Sequence, residues 1–313
     1  MTYSKIIGCG SYLPKKRILN SELPAELGTN DEWIRTRTGI TQRYIAADGE
    51  LTSDLAVAAA KVALKNAGLA EVDAIILATT SPDNTFPATA AQVQKKLGFK
   101  SGFAFDVQAV CAGFAFAVAT ADNFIKLGQI KTALVIGAET LTRVLDWSDR
   151  GTCVLFGDGA GAIVLSASDK PGIISTKLNT DGSHYDELYV SGGVSQKSIG
   201  VLKMNGREVF KHAVEKMSGG IADILASNGK TINDVNWIVP HQANLRIMNA
   251  IAERIGIAPE KVIETVSKHA NTSAASIPLA LCEAQSKFKK DDLIVLTALG
   301  GGFSWGSVLL KWS

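Results

Sequence analysis

Apolar residues recur every three or four positions over residues 51–66, which predicts an amphipathic helix, and a short apolar run over 74–79 predicts a strand. The turn-rich Ser81-Pro82-Asp83-Asn84 separates that strand from a second helix over 88–97. Residues 103–107 read as a strand, 112–127 as a mostly apolar buried helix, and 132–138 and 162–166 as two further strands. The order then repeats. Helices are predicted over 209–227, 244–255 and 273–287, with strands over 237–239, 262–265, 293–298 and 307–311.

The two halves keep a nearly constant offset. Ala133-Leu134-Val135-Ile136 stands 160 positions before Leu293-Ile294-Val295-Leu296, and Ile75-Ile76-Leu77 stands 162 before Trp237-Ile238-Val239. This reads as an internal duplication, although many α/β chains share such a rhythm. Alternating strands and helices imply parallel sheets covered by helices, and two such halves side by side give an α/β/α/β/α arrangement. The expected division is 1–168 and 169–313.

Composition narrows the setting. Of 313 residues, 46% are hydrophobic and 20% charged, and 32 Lys+Arg against 30 Asp+Glu leave a net charge of +2. Disorder is excluded by the apolar content, and the near-zero charge gives no electrostatic case for nucleic acid or membrane as principal partner. The longest uncharged apolar stretch, 109–121, is too short to span a bilayer. At the N-terminus, Gly8, Gly10 and Pro14 interrupt the apolar run and Lys15, Lys16 and Arg17 follow it, the reverse of a signal peptide, so a cytoplasmic chain is expected. Cys9, Cys111, Cys153 and Cys282 lack CxxC spacing and suggest neither a disulfide framework nor a metal site.

Three residues fall where strands should give way to helices, the place where open α/β sheets bind ligands. Cys111 precedes the long buried helix, where the dipole would favour a thiolate; the same residue among Ala, Val and Phe also fits a small buried hydrophobe. Asn271 stands 160 positions later and could be a catalytic carboxamide or a helix cap. His241 follows the 237–239 strand and could face a cleft or serve structure, whereas His184, His212 and His269 read as structural. Among the glycine-rich stretches, Gly157-Asp158-Gly159-Ala160-Gly161 runs into a strand and so fails as a dinucleotide fingerprint. Asn228-Gly229-Lys230-Thr231 lacks the first glycine of a P-loop, since Ile224 stands there. Gly300–Gly306 could bare N–H groups to a developing oxyanion or form only a tight turn.

Taken together, Asp31-Glu32-Trp33-Ile34 with Arg37-Thr38-Gly39-Ile40, Ala109-Val110-Cys111-Ala112-Gly113-Phe114, Leu155-Phe156-Gly157-Asp158-Gly159-Ala160-Gly161-Ala162 and Pro240-His241-Gln242-Ala243-Asn244 form a recognisable set. With the Asn271 segment and the closing glycines, they resemble the β-ketoacyl-[acyl carrier protein] synthase III family over essentially the whole chain. The resemblance implies a thiolase-like fold, a homodimer and a Cys111–His241–Asn271 triad that condenses an acyl-coenzyme A primer, with acetyl-coenzyme A expected, with malonyl-acyl carrier protein to begin fatty acid synthesis. It further implies that the backbone N–H groups of Cys111 and Gly301 hold the tetrahedral oxyanion. Coenzyme A is a substrate in this scheme, and neither a metal nor a redox cofactor is expected.

By the same resemblance Trp33, Arg37, Arg150, Gly206 and Asn244 line the coenzyme A site. Phe86, Leu141 and Phe156 wall the acyl pocket, Phe86 reaching into the partner subunit. Lys211, Arg246 and Arg254 would meet the acidic carrier protein, the two arginines lying eight residues apart on one helix face. Arg207 departs from the small polar residue common in the family at that point. A specialised-metabolism relative using another acceptor, or a catalytically silent thiolase-fold binding protein, would share the architecture.

Overall fold

The computed structural model describes residues 2–313. In chain order the strands are β1 (Tyr3–Tyr12), β2 (Lys16–Leu19), β3 (Gln42–Ile45), β4 (Ala74–Ala78), β5 (Phe103–Val107), β6 (Thr132–Glu139), β7 (Gly159–Ser168), β8 (Ile173–Thr180), β9 (Leu188–Gly193), β10 (Ser198–Met204), β11 (Trp237–Pro240), β12 (Leu293–Gly300) and β13 (Ser304–Lys311). The helices are α1 (Asp31–Thr38), α2 (Thr52–Ala67), α3 (Thr89–Leu97), α4 (Gly113–Lys126), α5 (Gly206–Ala226), α6 (Leu245–Ile255), α7 (Val266–His269) and α8 (Ser276–Ala284).

One sheet has the order β1-β7-β6-β4-β5 and the other β11-β12-β13-β8, while β2-β3 and β9-β10 form separate two-stranded ribbons. The two main sheets repeat one pattern. β4 lies parallel to β6 as β11 lies parallel to β12; β6 runs antiparallel to β7 as β12 does to β13; and β1 pairs antiparallel with β7 as β8 does with β13. Both sheets are therefore mixed, not parallel as the alternating pattern implied. The chain joins β6 to β7 through one 3-10 turn and loops, and β12 to β13 through three residues, so neither connection contains the helical crossover that a parallel return needs.

The strand expected over 262–265 is also absent. Only Val262 bridges Ile238, in the parallel sense that β5 keeps towards β4. Beyond it, the Gln242 side-chain oxygen takes the N–H groups of Thr265 and Val266 at 2.8 and 3.1 Å, which turns the chain into α7 instead of extending a ladder. The helix expected over 273–287 divides into a 3-10 turn Ser273–Ala275, α8, and a second turn Gln285–Lys287.

Five layers result. α2 and α3 cover one face of the first sheet through an Ala- and Val-rich cluster; α4 and α8 fill the space between the sheets; and α5 and α6 cover the outer face of the second. α4 is apolar almost all round because both sheets press on it, with Phe114 and Ile125 fully buried. Gly161 in β7 permits close approach, since a Cβ there would lie 2.6 Å from Leu279 N in α8. Among the described residues no helix is long and apolar enough to cross a membrane.

Candidate active site

Cys111 sits in a 3-10 turn, Val110–Ala112, that links β5 to the start of α4. Val110 takes a left-handed φ of 48°, a conformation unusual for a β-branched residue, and this sharp bend turns position 111 inward. Gly300, the last residue of β12, backs directly onto the turn: a Cβ there would stand 2.6 Å from Cys111 N and 2.8 Å from Ala109 O. Helix N-terminal placement led to the expectation of a thiolate. In the resting chain burial instead pushes the thiol up to about 12; nearby Ser273 favours ionisation and the negative charge of Glu139 opposes it.

His241 follows β11, and its N–H continues the ladder to Thr297 O at 2.7 Å. The ring is buried, and loss of hydration pulls its pKa down to about 3, so the imidazole is neutral across the physiological range. Its Nδ1 lies 2.7 Å from Ser276 Oγ, which also accepts the Gln242 N–H at 3.3 Å. With that oxygen accepting from the backbone and its own hydrogen free for Nδ1, the imidazole hydrogen is assigned to Nε2.

Asn271 follows α7, with its N–H on Leu155 O at 2.9 Å and its carbonyl accepting from Gly157 N–H at 3.0 Å. Its side-chain Oδ1 takes the Ser273 N–H at 2.8 Å, so the amide NH2 is the end left for a ligand. Thr272, not Asn271, holds the N-cap position of the following turn, and the bond from Ser273 N–H orients the Asn271 amide.

All three residues line one cavity of about 500 Å³. Trp33, Arg37, Arg150, Gly206, Asn244 and Phe156 line it too, as does Arg207, the position that departs from the family pattern. Two guanidinium groups lie over the Trp33 ring, Arg37 at 4.5 Å and Arg150 at 5.3 Å from its centroid. Arg150 donates to Gly28 O at 2.9 Å, which anchors it beside the tryptophan and away from the aspartates near it in sequence. Asn244 caps α6 by accepting Ile247 N–H at 3.0 Å.

Other predicted positions lie elsewhere. Leu141 is packed inside an apolar cluster with Leu145 and Phe156, so it supports the wall without facing the cavity. Phe86 is 82% exposed and touches no part of the cavity within its own chain. Gly301, buried in the turn after β12, is close to Leu188 O, where a Cβ would be 2.5 Å away. Arg246 lines the main cavity and Lys211 is exposed beside Glu208 at 3.6 Å, but Arg254 borders a separate hollow with Ser218 and Lys230. Eight residues on a helix differ by about 80° in direction, which is why the two arginines do not share a face.

Ser276, Ser273 and Glu139 were not singled out by the sequence reading. The clustered hydroxyls of Asn271-Thr272-Ser273-Ala274-Ala275-Ser276 were the available signal for the serines, while Glu139 looked like an ordinary strand end. His269 pairs with Glu283 at 3.0 Å. Asp158, in the glycine-rich stretch, is buried and receives Ala46 N–H, Thr142 N–H and Thr142 Oγ–H. Among the described residues no group of three or more His, Cys, Asp or Glu side chains is placed to hold a metal ion, and all four cysteines are free and buried.

Comparison with known proteins identifies the family. Residues 105–182 match the family model 3-oxoacyl-[acyl-carrier-protein (ACP)] synthase III, and residues 225–312 match its C-terminal counterpart. The chain is 56% identical over 319 residues to the β-ketoacyl-[acyl-carrier-protein] synthase III of Paramagnetospirillum magneticum, covering 98% of each chain. It is 57% identical over 318 residues to that of Ehrlichia canis, covering 99% of this chain and 100% of the relative. The crystal structure of 3-oxoacyl-[acyl-carrier-protein] synthase III from Aquifex aeolicus superposes with a TM-score of 0.94 at 47% identity, covering 99% of this chain and all of the other. With a duplicated five-layer fold and relatives matched from end to end, the chain belongs to the β-ketoacyl-[acyl carrier protein] synthase III family, acyltransferases that condense acyl units in fatty acid synthesis.

Proposed function

We propose that the Cys111 sulfur takes an acyl group from acyl-coenzyme A and that His241 and Asn271 then drive condensation with malonyl-acyl carrier protein. The observation that carries this reading is the meeting of a nucleophile, a neutral imidazole and an oriented carboxamide in one cavity with Trp33, Arg37 and Arg150. An indole flanked by guanidinium groups suits an adenine and its phosphates. No metal or redox group is needed for this route, because loss of carbon dioxide itself supplies the electron pair.

The steps follow from the donors. Attack of sulfur on the thioester expels coenzyme A and leaves an acyl-Cys111. Malonyl decarboxylation places negative charge on the thioester oxygen, where His241 Nε2–H and the Asn271 NH2 are the two hydrogen-bond donors. The neutral imidazole suffices for this, because its Nε2 carries a hydrogen to donate while burial keeps the ring from taking up a second proton. The resulting carbon attacks the acyl carbonyl, and the Cys111 and Gly301 N–H groups receive the oxyanion before the carbon–sulfur bond breaks.

The same reading makes the enzyme a cytoplasmic homodimer. Phe86 stands exposed on a loop and would complete the partner's acyl pocket, while β5 leaves an unpaired sheet edge bearing the exposed Phe103. Lys211 and Arg246 would receive the acidic carrier, with Arg254 farther from the mouth.

Radiolabelled acetyl-coenzyme A followed by peptide mapping tests the first step: label on Cys111 is expected, and its absence refutes the nucleophile. Cys111→Ser should abolish this transfer. His241→Ala and Asn271→Ala should still accept the acyl group but lose malonyl decarboxylation by about 10²-fold or more, the usual cost of removing a preorganised donor. Turnover with malonyl-acyl carrier protein but not malonyl-coenzyme A is expected, and the reverse preference would favour another acceptor. A panel of acetyl-, isobutyryl- and longer acyl-coenzyme A substrates reads out the primer, for which acetyl is expected.

A further inference from the structure

The two donors assigned to the enolate step sit on different segments, His241 after β11 and Asn271 after α7, and one side chain ties those segments together. Gln242 is 1% exposed, and its carboxamide uses its full hydrogen-bonding capacity. Nε2 donates to Pro240 O at 2.7 Å and to Ile263 O at 3.1 Å, while Oε1 accepts Thr265 N–H at 2.8 Å and Val266 N–H at 3.1 Å. With two carbonyls on one side and two N–H groups on the other, only one orientation of the amide fits.

The amide stands in for backbone that the fold does not supply. Beside β11 a parallel pairing begins, with Val262 bridging Ile238 and Ile263 N–H donating to Ile238 O at 2.9 Å. The Gln242 NH2 then spans Pro240 O and Ile263 O where the next rung of a ladder would lie, and its oxygen satisfies two N–H groups at the start of α7. α7 has only four residues, and Val266 at its start and Ala270 just after its end are both fully buried, so a shift at the start has little slack to absorb it before Asn271. Leu155 and Gly157 grip the Asn271 backbone from the other side. Towards His241, the Gln242 N–H meets Ser276 Oγ at 3.3 Å, the same oxygen that lies 2.7 Å from His241 Nδ1. One residue therefore reaches both donors, His241 through its backbone and Asn271 through its side chain.

Resting on the assignment of His241 and Asn271 as donors, we propose that Gln242 is a positioning residue that sets the spacing between them for malonyl decarboxylation. It does not line the cavity and touches no reacting atom. Its effect is geometric: two hydrogen bonds must converge on one oxygen as charge develops there, and each weakens steeply once its distance or angle departs from ideal. Acyl transfer to Cys111 draws on neither donor in this scheme, so the spacing matters to the second half-reaction alone. Glutamate has the shape of glutamine but cannot make both donations when ionised, and asparagine is one methylene too short to span both segments.

The test separates the half-reactions in the full-length protein by following label from acetyl-coenzyme A onto Cys111 and labelled carbon dioxide released from malonyl-acyl carrier protein. Gln242→Glu should acylate within about twofold of the native rate. Its kcat for carbon dioxide release should fall by about tenfold to 10²-fold with little change in the KM for malonyl-acyl carrier protein, since the donors act on the transition state. The substitution alters only the link to α7, so in Asn271→Ala, where that donor is already gone, adding it should change release by no more than about twofold. If Gln242 only supports the fold, both half-reactions will fall together and the losses of Gln242→Glu and Asn271→Ala will multiply; either result overturns the proposal, as does undiminished release. Should Gln242→Glu fail to fold in a thermal melt, Gln242→Asn carries the same comparison with a neutral side chain. Normal release by both His241→Ala and Asn271→Ala would instead refute the donor assignment on which the spacing rests.

Discussion

His241 shows how one hydroxyl can decide what a side chain does. An imidazole has two nitrogens, and the partner of one determines which carries the hydrogen. Here Ser276 Oγ, held by Gln242 N–H, faces Nδ1 and leaves Nε2–H free for the proposed enolate step. Ser276→Ala should therefore slow malonyl decarboxylation by about tenfold or more while acyl transfer to Cys111 changes little, since only the enolate step uses that hydrogen. Equal losses in both half-reactions would show that the serine supports the site as a whole. Trp33 belongs to the same scale. Removing its ring takes away the surface over which Arg37 and Arg150 lie, and Trp33→Ala should raise the KM for acetyl-coenzyme A about tenfold with a smaller change in kcat. A kcat loss without a KM effect would place the ring outside the coenzyme A site.

At the level of elements, the placement of Cys111, the proposed nucleophile, depends on how the end of β12 meets the turn before α4. Gly300 is required there by proximity, because its missing side chain lets the strand end lie against the Cys111 and Ala109 backbone. Gly300→Ala should lower acyl transfer by about 10²-fold, since displacing a reacting atom by about 1 Å has that effect, and a crystal structure of the variant should show the 110–112 turn moved. Retained activity would mean that the turn yields without disturbing the sulfur. α6 offers a second comparison. Arg246 faces the main cavity and Arg254 a different hollow, so Arg246→Glu should raise the KM for malonyl-acyl carrier protein more than Arg254→Glu does, with little effect of either on acetyl-coenzyme A. Equal effects on both substrates would remove α6 from carrier docking.

For the molecule as a whole, burying a histidine has consequences for acid stability. Native His241 binds a proton only near pH 3, whereas the unfolded chain binds one near pH 6.5. Between those values the unfolded state holds more protons, so stability falls as the pH drops below 6.5, by about 1.4 kcal/mol per pH unit from this residue. Glu283 adds a later loss. Its carboxylate, held down to about 2 by His269 and Lys268, contributes stability above its ordinary value near 4.5 that disappears as the pH falls towards 2. Denaturant unfolding from pH 7 to pH 5 should give a steeper decline for the native protein than for His241→Gln, and parallel curves would contradict a buried neutral imidazole.

The sequence by itself determined most of the helices, the strands flanking the chemistry, the duplication, and the three residue types gathered at its core. Local periodicity carries that information, because a face that must be buried repeats every second residue in a strand and about every 3.6 in a helix. Strand direction was misread from the alternating pattern, although the helix-free connections before β7 and β13 already forbade a parallel return. The single bridge at Val262 was decided by Gln242, a side chain twenty residues earlier that takes the backbone hydrogen bonds a strand would have used. Only the tertiary structure decided the state of the site, because a pKa reflects burial and neighbours drawn from several elements. The periodicity placed Cys111 at the start of a helix and suggested an ionised thiol; packing buried it at the edge of the cavity, and that burial pushes the thiol up to about 12.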